Sequence, residues 1–139
     1  MKTVLLILVA WLMAGINLFS QDNFTGEWEM QELVMESLEE REVVSKEQLK
    51  QDGTIWIMKF SEDGKFYQKS NYNAQERMDE FEGSWKAEPD EKLTIFLMIN
   101  GQKRPLHFFY EFRENKMILE RYDPARTMKM VVVFRKRGS

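Results

Sequence analysis

The chain has 139 residues, with 20 lysines and arginines against 23 aspartates and glutamates, one histidine and no cysteine. The net charge of −3 opposes nucleic-acid binding by bulk electrostatics. Without cysteine there is no disulfide and no thioether-linked lipid, and a lone His107 excludes transition-metal sites built from His and Cys.

Met1 and Lys2 precede an apolar run from Val4 to Ile16, which gives way to Asn17, Ser20 and Gln21. That order predicts a secretory signal peptide over residues 1–21, and the run is shorter than the roughly 20 residues that span a bilayer. The expectation is cleavage beside Gln21, no stable membrane anchor afterwards, and an exported protein, periplasmic or secreted. Residues 22–139 then form one domain of common size. Asn23-Phe24-Thr25 matches a glycosylation sequon, and behind such a leader the match is read as accidental.

The first strand is expected from Thr25 to about Met35, and the acidic stretch Glu36 to Glu42 reads as a turn or an extended hairpin end. A short helix follows over Lys46 to Gln51. Ser45 can cap it, Gln48 can complete a capping box, and Gly53 can end it. Ile55 to Phe60 and Lys65 to Tyr72 are strands paired across Ser61-Glu62-Asp63-Gly64, where Gly64 can supply a positive φ. A polar stretch then leads to a strand from Met78 to Lys86. Ala87 to Glu91 turns the chain into Lys92 to Ile99, and Asn100-Gly101 marks the next turn. The remaining strands are Leu106 to Arg113, Lys116 to Tyr122 and Thr127 to Lys136. About eight short strands joined by tight connections predict an all-β fold. Closure hides the edges best, so the expected architecture is a single up-and-down antiparallel barrel with one short helix between its first and second strands.

Alternation assigns the faces. The inner set contains Leu93, Ile95, Leu97 and Ile99, then Leu106, Phe108, Tyr110 and Phe112, and in the last strand Met128, Met130, Val132 and Phe134. Trp28, Phe60, Phe66, Phe81 and Trp85 join them. Small barrels either fill their interior or hold one small ligand, and this inner set is bulky. On the outside, Phe96, Met98, Phe109, Val131 and Val133 are expected to form an apolar patch, which makes a homodimer contact a candidate unless the helix bearing Leu49 covers it.

Gly26-Glu27-Trp28 opens the first strand, followed by Phe60-Ser61-Glu62-Asp63-Gly64-Lys65-Phe66 and by Gly83-Ser84-Trp85 entering a strand. On these motifs the chain resembles the lipocalin-like families of exported bacterial small β-barrel proteins. The resemblance covers Gly26 to Arg137 and implies that Gly26 and Trp28 close one end of the barrel. It also implies a last-strand arginine packed over the Trp28 indole. Arg135 lies on the outward phase of its strand and Arg121 is an alternative on an inward phase, which leaves this contact unassigned. The family includes ligand carriers and members without a known ligand, so membership alone does not assign a function.

Catalysis needs a nucleophile with a base and an oxyanion donor, or a metal cluster. Neither pattern is present: no cysteine, one histidine and no phosphate-binding glycine loop, so a noncatalytic protein without cofactor or metal is expected. The carboxylates Glu39, Glu40, Glu42, Asp79 and Glu80 fall in solvated settings, and Met128 and Met130 read as core packing. The interior is expected to carry aromatic residues with one polar end, Trp28, Trp56, Trp85, Tyr67, Tyr72, Tyr110 and Tyr122, and such residues suit pockets for small apolar ligands. Tyr72, Tyr110, Arg121 and Tyr122 are the candidate ligand-binding residues, at the barrel mouth, for a small hydrophobic or amphipathic molecule. The alternative is a filled barrel acting as a protein-interaction or structural module through its outer patch.

Overall fold

The computed structural model describes residues 23–72, 77–125 and 127–138; the leader read over residues 1–21 lies outside them. Wholly within these residues, nine strands and one helix follow in order: β1 (Gly26–Ser37), β2 (Arg41–Val44), α1 (Lys46–Asp52), β3 (Trp56–Phe60), β4 (Lys65–Ser70), β5 (Asp79–Glu88), β6 (Lys92–Ile99), β7 (Gln102–Arg113), β8 (Lys116–Tyr122) and β9 (Met128–Lys136). All form one antiparallel sheet in the order β2-β1-β3-β4-β5-β6-β7-β8-β9, and β1 also pairs with β9. That last pairing closes an eight-stranded barrel, as the hairpin series predicted.

The strand that sequence missed is β2. The acidic stretch turns only around Leu38 to Glu40, where Ser37 N–H donates to the Glu40 carbonyl at 2.8 Å, and Arg41 to Val44 already run back along β1. β1 therefore divides one of its edges. Gly26 to Glu29 pair with β3, and Leu33 to Glu36 pair with β2. On its other edge it meets β9 with a register shift between Met30 and Glu32. This irregularity is a β-bulge, which turns the inward phase from Trp28 and Met30 to Leu33 and Met35. α1 sits beside β1 at this division, and its Leu49, 5% exposed, joins the core. Leu49 thus turns toward the core, while the first turn of the helix, Ser45 to Glu47, borders an outer depression together with Val133 and Arg135.

Local signals act as expected elsewhere. Ser45 Oγ accepts the Gln48 N–H at 3.3 Å, although the Gln48 side chain turns forward to Asp52 and the box stays half made. Gly53, at φ 67, ends α1: its N–H reaches the Lys50 carbonyl, and Thr54 N–H reaches that of Leu49. Asn100 and Gly101 both take positive φ, 51 and 77, the requirement of a type I′ hairpin turn.

The interior follows the alternation. Trp28, Phe60, Phe66, Trp85, Leu93, Ile95, Leu97, Phe108, Val132 and Phe134 are buried, with Met58, Met117 and Leu119 between them. Met128 is the exception at 41% exposed, because it is the first residue of β9 and its partner Ser37 is the last of β1. Gly83 makes the tightest approach: a Cβ there would lie 1.7 Å from the Phe96 carbonyl oxygen, so β5 and β6 come this close only with glycine at that place.

Candidate functional site

The two ends of the barrel differ. At one end lie the β3–β4, β5–β6 and β7–β8 turns, the start of β1 and the end of β9. Phe24, fully buried, seals this end. Its ring meets Phe60 at 5.6 Å, Trp85 at 5.3 Å, Tyr110 at 4.7 Å and Phe112 at 4.8 Å. Trp28 Nε1 donates to the Phe24 carbonyl at 2.8 Å and so ties the segment before β1 across the opening. Gly26 and Trp28 thus stand at the sealed end. The cation near the indole is Lys136, 5.8 Å from the ring centroid and opposite Trp28 in the register. Neither Arg135 nor Arg121 occupies that position. Lys136 has the inward phase that Arg135 lacks.

At the opposite end the inward residues are only partly covered. Met35 of β1, Val44 of β2, Phe81 of β5, Ile99 of β6, Leu106 of β7 and Met130 of β9 pack on the core and keep part of their surface exposed, as does Tyr72 beyond β4. Together they form an apolar rim. A cleft of about 600 Å3 opens beside it, between α1 and the rim, lined by Leu33, Val44, Leu49 and Tyr72 with Glu42, Asp52, Thr54 and Asn71. Asn71 fixes this wall: its Oδ1 accepts the Ile55 N–H and its Nδ2 donates to the Gly53 carbonyl, both at 2.7 Å.

The four tyrosine and arginine candidates do not converge. Tyr72 is at the mouth, stacked on Trp56 at 5.9 Å and 17°. Arg121 is there too, with its guanidinium 5.9 Å from the Phe108 ring. Tyr110 faces inward but belongs to the sealed end, edge-on to Phe24. Burial first, then the Glu91 carboxylate, raises its phenol above the usual 10.0. Tyr122 points outward, where its hydroxyl donates to Glu120 at 2.9 Å and its ring meets Phe109 edge-on at 6.4 Å. The reasons are positional: Tyr122 follows the inward Arg121 in an alternating strand, and the β7–β8 register sets Tyr110 opposite Leu119.

That register ends at Phe109 opposite Glu120, while β8 runs on to Tyr122. A second cleft, about 530 Å3, lies where the strands part, lined by Leu93, Thr94, His107, Phe108, Arg121 and Tyr122 among others. In it the Thr94 hydroxyl, 3% exposed, contacts Glu88 Oε1 and lies 3.2 Å from His107 Nδ1. This chain satisfies a buried hydroxyl on an otherwise outward phase. Pro105, in the part of β7 that β8 leaves uncovered, has no N–H to offer another strand, so it blunts the open edge. A larger depression of about 950 Å3 lies on the outer wall among Lys59, Lys65, Tyr67, Glu82, Phe96, Met98 and Lys103. Phe66, Phe96 and Met98 give it an apolar floor and Lys59, Lys65, Glu82 and Lys103 surround them; it is an open groove on the outer wall, whereas the mouth leads to the barrel interior.

The outer apolar residues fall into separate groups. Phe96 lies under the Lys103 ammonium at 4.6 Å. Phe109 pairs with Tyr122. Val131 lies beside Val34 of β1 and Glu120 of β8, and the ion pair of Glu120 with Lys129, 3.0 Å, stands between Val131 and Phe109.

Sequence reasoning missed Phe24 and Gln68 as interior residues. Phe24 passed as part of a sequon, although its place four residues before Trp28 was a usable signal. Gln68 lies beside Trp56, which the sequence did place inside, on the inner face of β3 and β4, 9% and 8% exposed, and among the described residues Trp56 Nε1 and Gln68 Oε1 have no hydrogen-bond partner. Among the described residues no three His, Cys, Asp or Glu side chains group as metal ligands, and no helix is long and apolar enough to cross a membrane. No protein-family model matches the chain, and no curated protein matches its sequence.

Proposed function

We propose that the protein is an exported, noncatalytic, lipocalin-like binding module whose barrel mouth takes a small hydrophobic or amphipathic molecule. The observation that carries this is the asymmetry of the ends: aromatic rings fill one, and Met35, Val44, Tyr72, Phe81, Ile99, Leu106 and Met130 leave apolar surface at the other. Pockets for small apolar ligands have such walls with a few polar groups at the edge, here Arg121, Glu42 and Asn71. The sealed end limits the ligand to the upper part of the barrel. Export rests on the leader at residues 1–21. The outer-patch alternative has less support, since Glu120 and Lys129 break the apolar surface it needs.

Native mass spectrometry of protein purified from its own host, with titration by a neutral fluorescent probe, tests the proposal. Met130→Asp at the rim is expected to abolish probe binding, and Phe109→Asp on the outer wall to leave it intact. A wild type that retains no ligand and binds no probe sinks the carrier reading. Loss of binding in Phe109→Asp alone, accompanied by a change of oligomeric state, favours the outer surface.

A further inference from the structure

Trp56 Nε1 and Gln68 Oε1 are the two buried polar side-chain atoms without a partner among the described residues. Both side chains are more than nine-tenths buried. Native interiors leave few such groups, and each one in place calls for a physical reason. Trp56 is opposite Ser70 and Met58 is opposite Gln68, so Trp56 and Gln68 are diagonal neighbours on one inner face. Their Cβ atoms are then roughly 7–8 Å apart, a span that two long side chains can close around a single small group. One residue separates this pair from the mouth: Tyr72 stacks on the Trp56 indole and itself lines the cleft beside α1.

The two unpartnered atoms are one donor and one acceptor, and the Gln68 amide carries N–H donors of its own beside them. A hydroxyl satisfies both, because its oxygen accepts from the indole N–H while its hydrogen goes to the amide oxygen. A carboxylate satisfies only the donor and brings a charge into a site whose neighbours are Met58, Tyr72 and Phe134. A hydrocarbon satisfies neither. We propose that Trp56 and Gln68 are the polar anchor of the barrel, reached by displacement of Tyr72, and that they select a neutral apolar molecule with a hydroxyl head, such as an aliphatic alcohol. This rests on the reading of the mouth as a binding site and adds the chemical class of ligand.

The test is displacement of N-phenyl-1-naphthylamine from the full chain by 1-octanol, octane and octanoate. Octanol is expected to bind about tenfold more tightly than the other two, the value of roughly one net hydrogen bond. Gln68→Leu and Trp56→Phe are each expected to bring octanol to the level of octane and to leave octane unchanged. Gln68→Leu is also expected not to lower the thermal midpoint, since it removes an acceptor that no protein group uses. Equal binding of octanol and octane by the wild type, or a preference that survives both variants, overturns the anchor and leaves the binding module standing. If the probe binds but none of the three displaces it, the anchor fails; if the probe itself does not bind, the binding module fails with it.

Discussion

Phe24→Ala tests the sealed end most directly. The Phe24 ring has no exposed surface and touches Phe60, Trp85, Tyr110 and Phe112, with centroids between 4.7 and 5.6 Å. Removing it takes away the buried ring and leaves a cavity among groups anchored on β3, β5 and β7, which limits how far the site can collapse. Core Phe→Ala changes cost about 3–5 kcal/mol. The segment before β1 can fray once its anchor is gone, and Trp28 Nε1 then loses the Phe24 carbonyl for water, a net loss of about 1 kcal/mol that caps the cavity term when the two trade against each other. For a domain of this size each kcal/mol moves the midpoint by roughly 3–6 °C, so the expected drop is about 10–30 °C. Urea and thermal unfolding, both read by tryptophan fluorescence, supply the measurement, and Leu38→Ala at a 96% exposed site is the control. A loss below about 1 kcal/mol, the range of ordinary surface changes, refutes the seal.

Gly83→Ala is expected to cost at least the about 1–3 kcal/mol of an overpacked site, because the added carbon meets the Phe96 carbonyl and its backbone rather than a movable side chain; an unchanged thermal midpoint would show that β5 and β6 have room to part. Tyr110 predicts alkaline sensitivity. Its folded-state pKa is raised, so its contribution is complete below the unfolded value near 10.0 and is lost as pH climbs through the folded value. Tyr67, raised by its hydrogen bond to Glu80, titrates in the same direction, so the comparison of wild type with Tyr110→Phe isolates Tyr110. Stability measured from pH 8 to 11.5 is expected to fall less steeply in the variant, and parallel curves would remove Tyr110 as the cause.

The strand series, the helix caps and most of the inner face were legible because each depends on local rules. Lys92–Ile99 and Lys116–Tyr122 match the expected strands residue for residue, since turn formers bound them on both sides. β2 was not legible: Arg41 to Val44 is too short and too charged to stand out, and only its partner Leu33 to Glu36 makes it a strand. The candidate site was legible in part. Tyr72 and Arg121 lie at the mouth, while Tyr110 and Tyr122 are separated from them by register and by phase, neither of which can be counted from one strand alone.

By itself the sequence determined the barrel: hairpins in chain order leave a sheet of this length with one economical way to cover its edges. That Phe24 plugs one end, which cation stands over Trp28, and that Trp56 and Gln68 lie diagonally inside with unpartnered polar atoms were decided by tertiary structure. The physical reason is that each depends on the stagger between strands. A bulge in β1 and an early end to the β7–β8 pairing shift whole faces against each other, and local residue preferences carry no record of that shift.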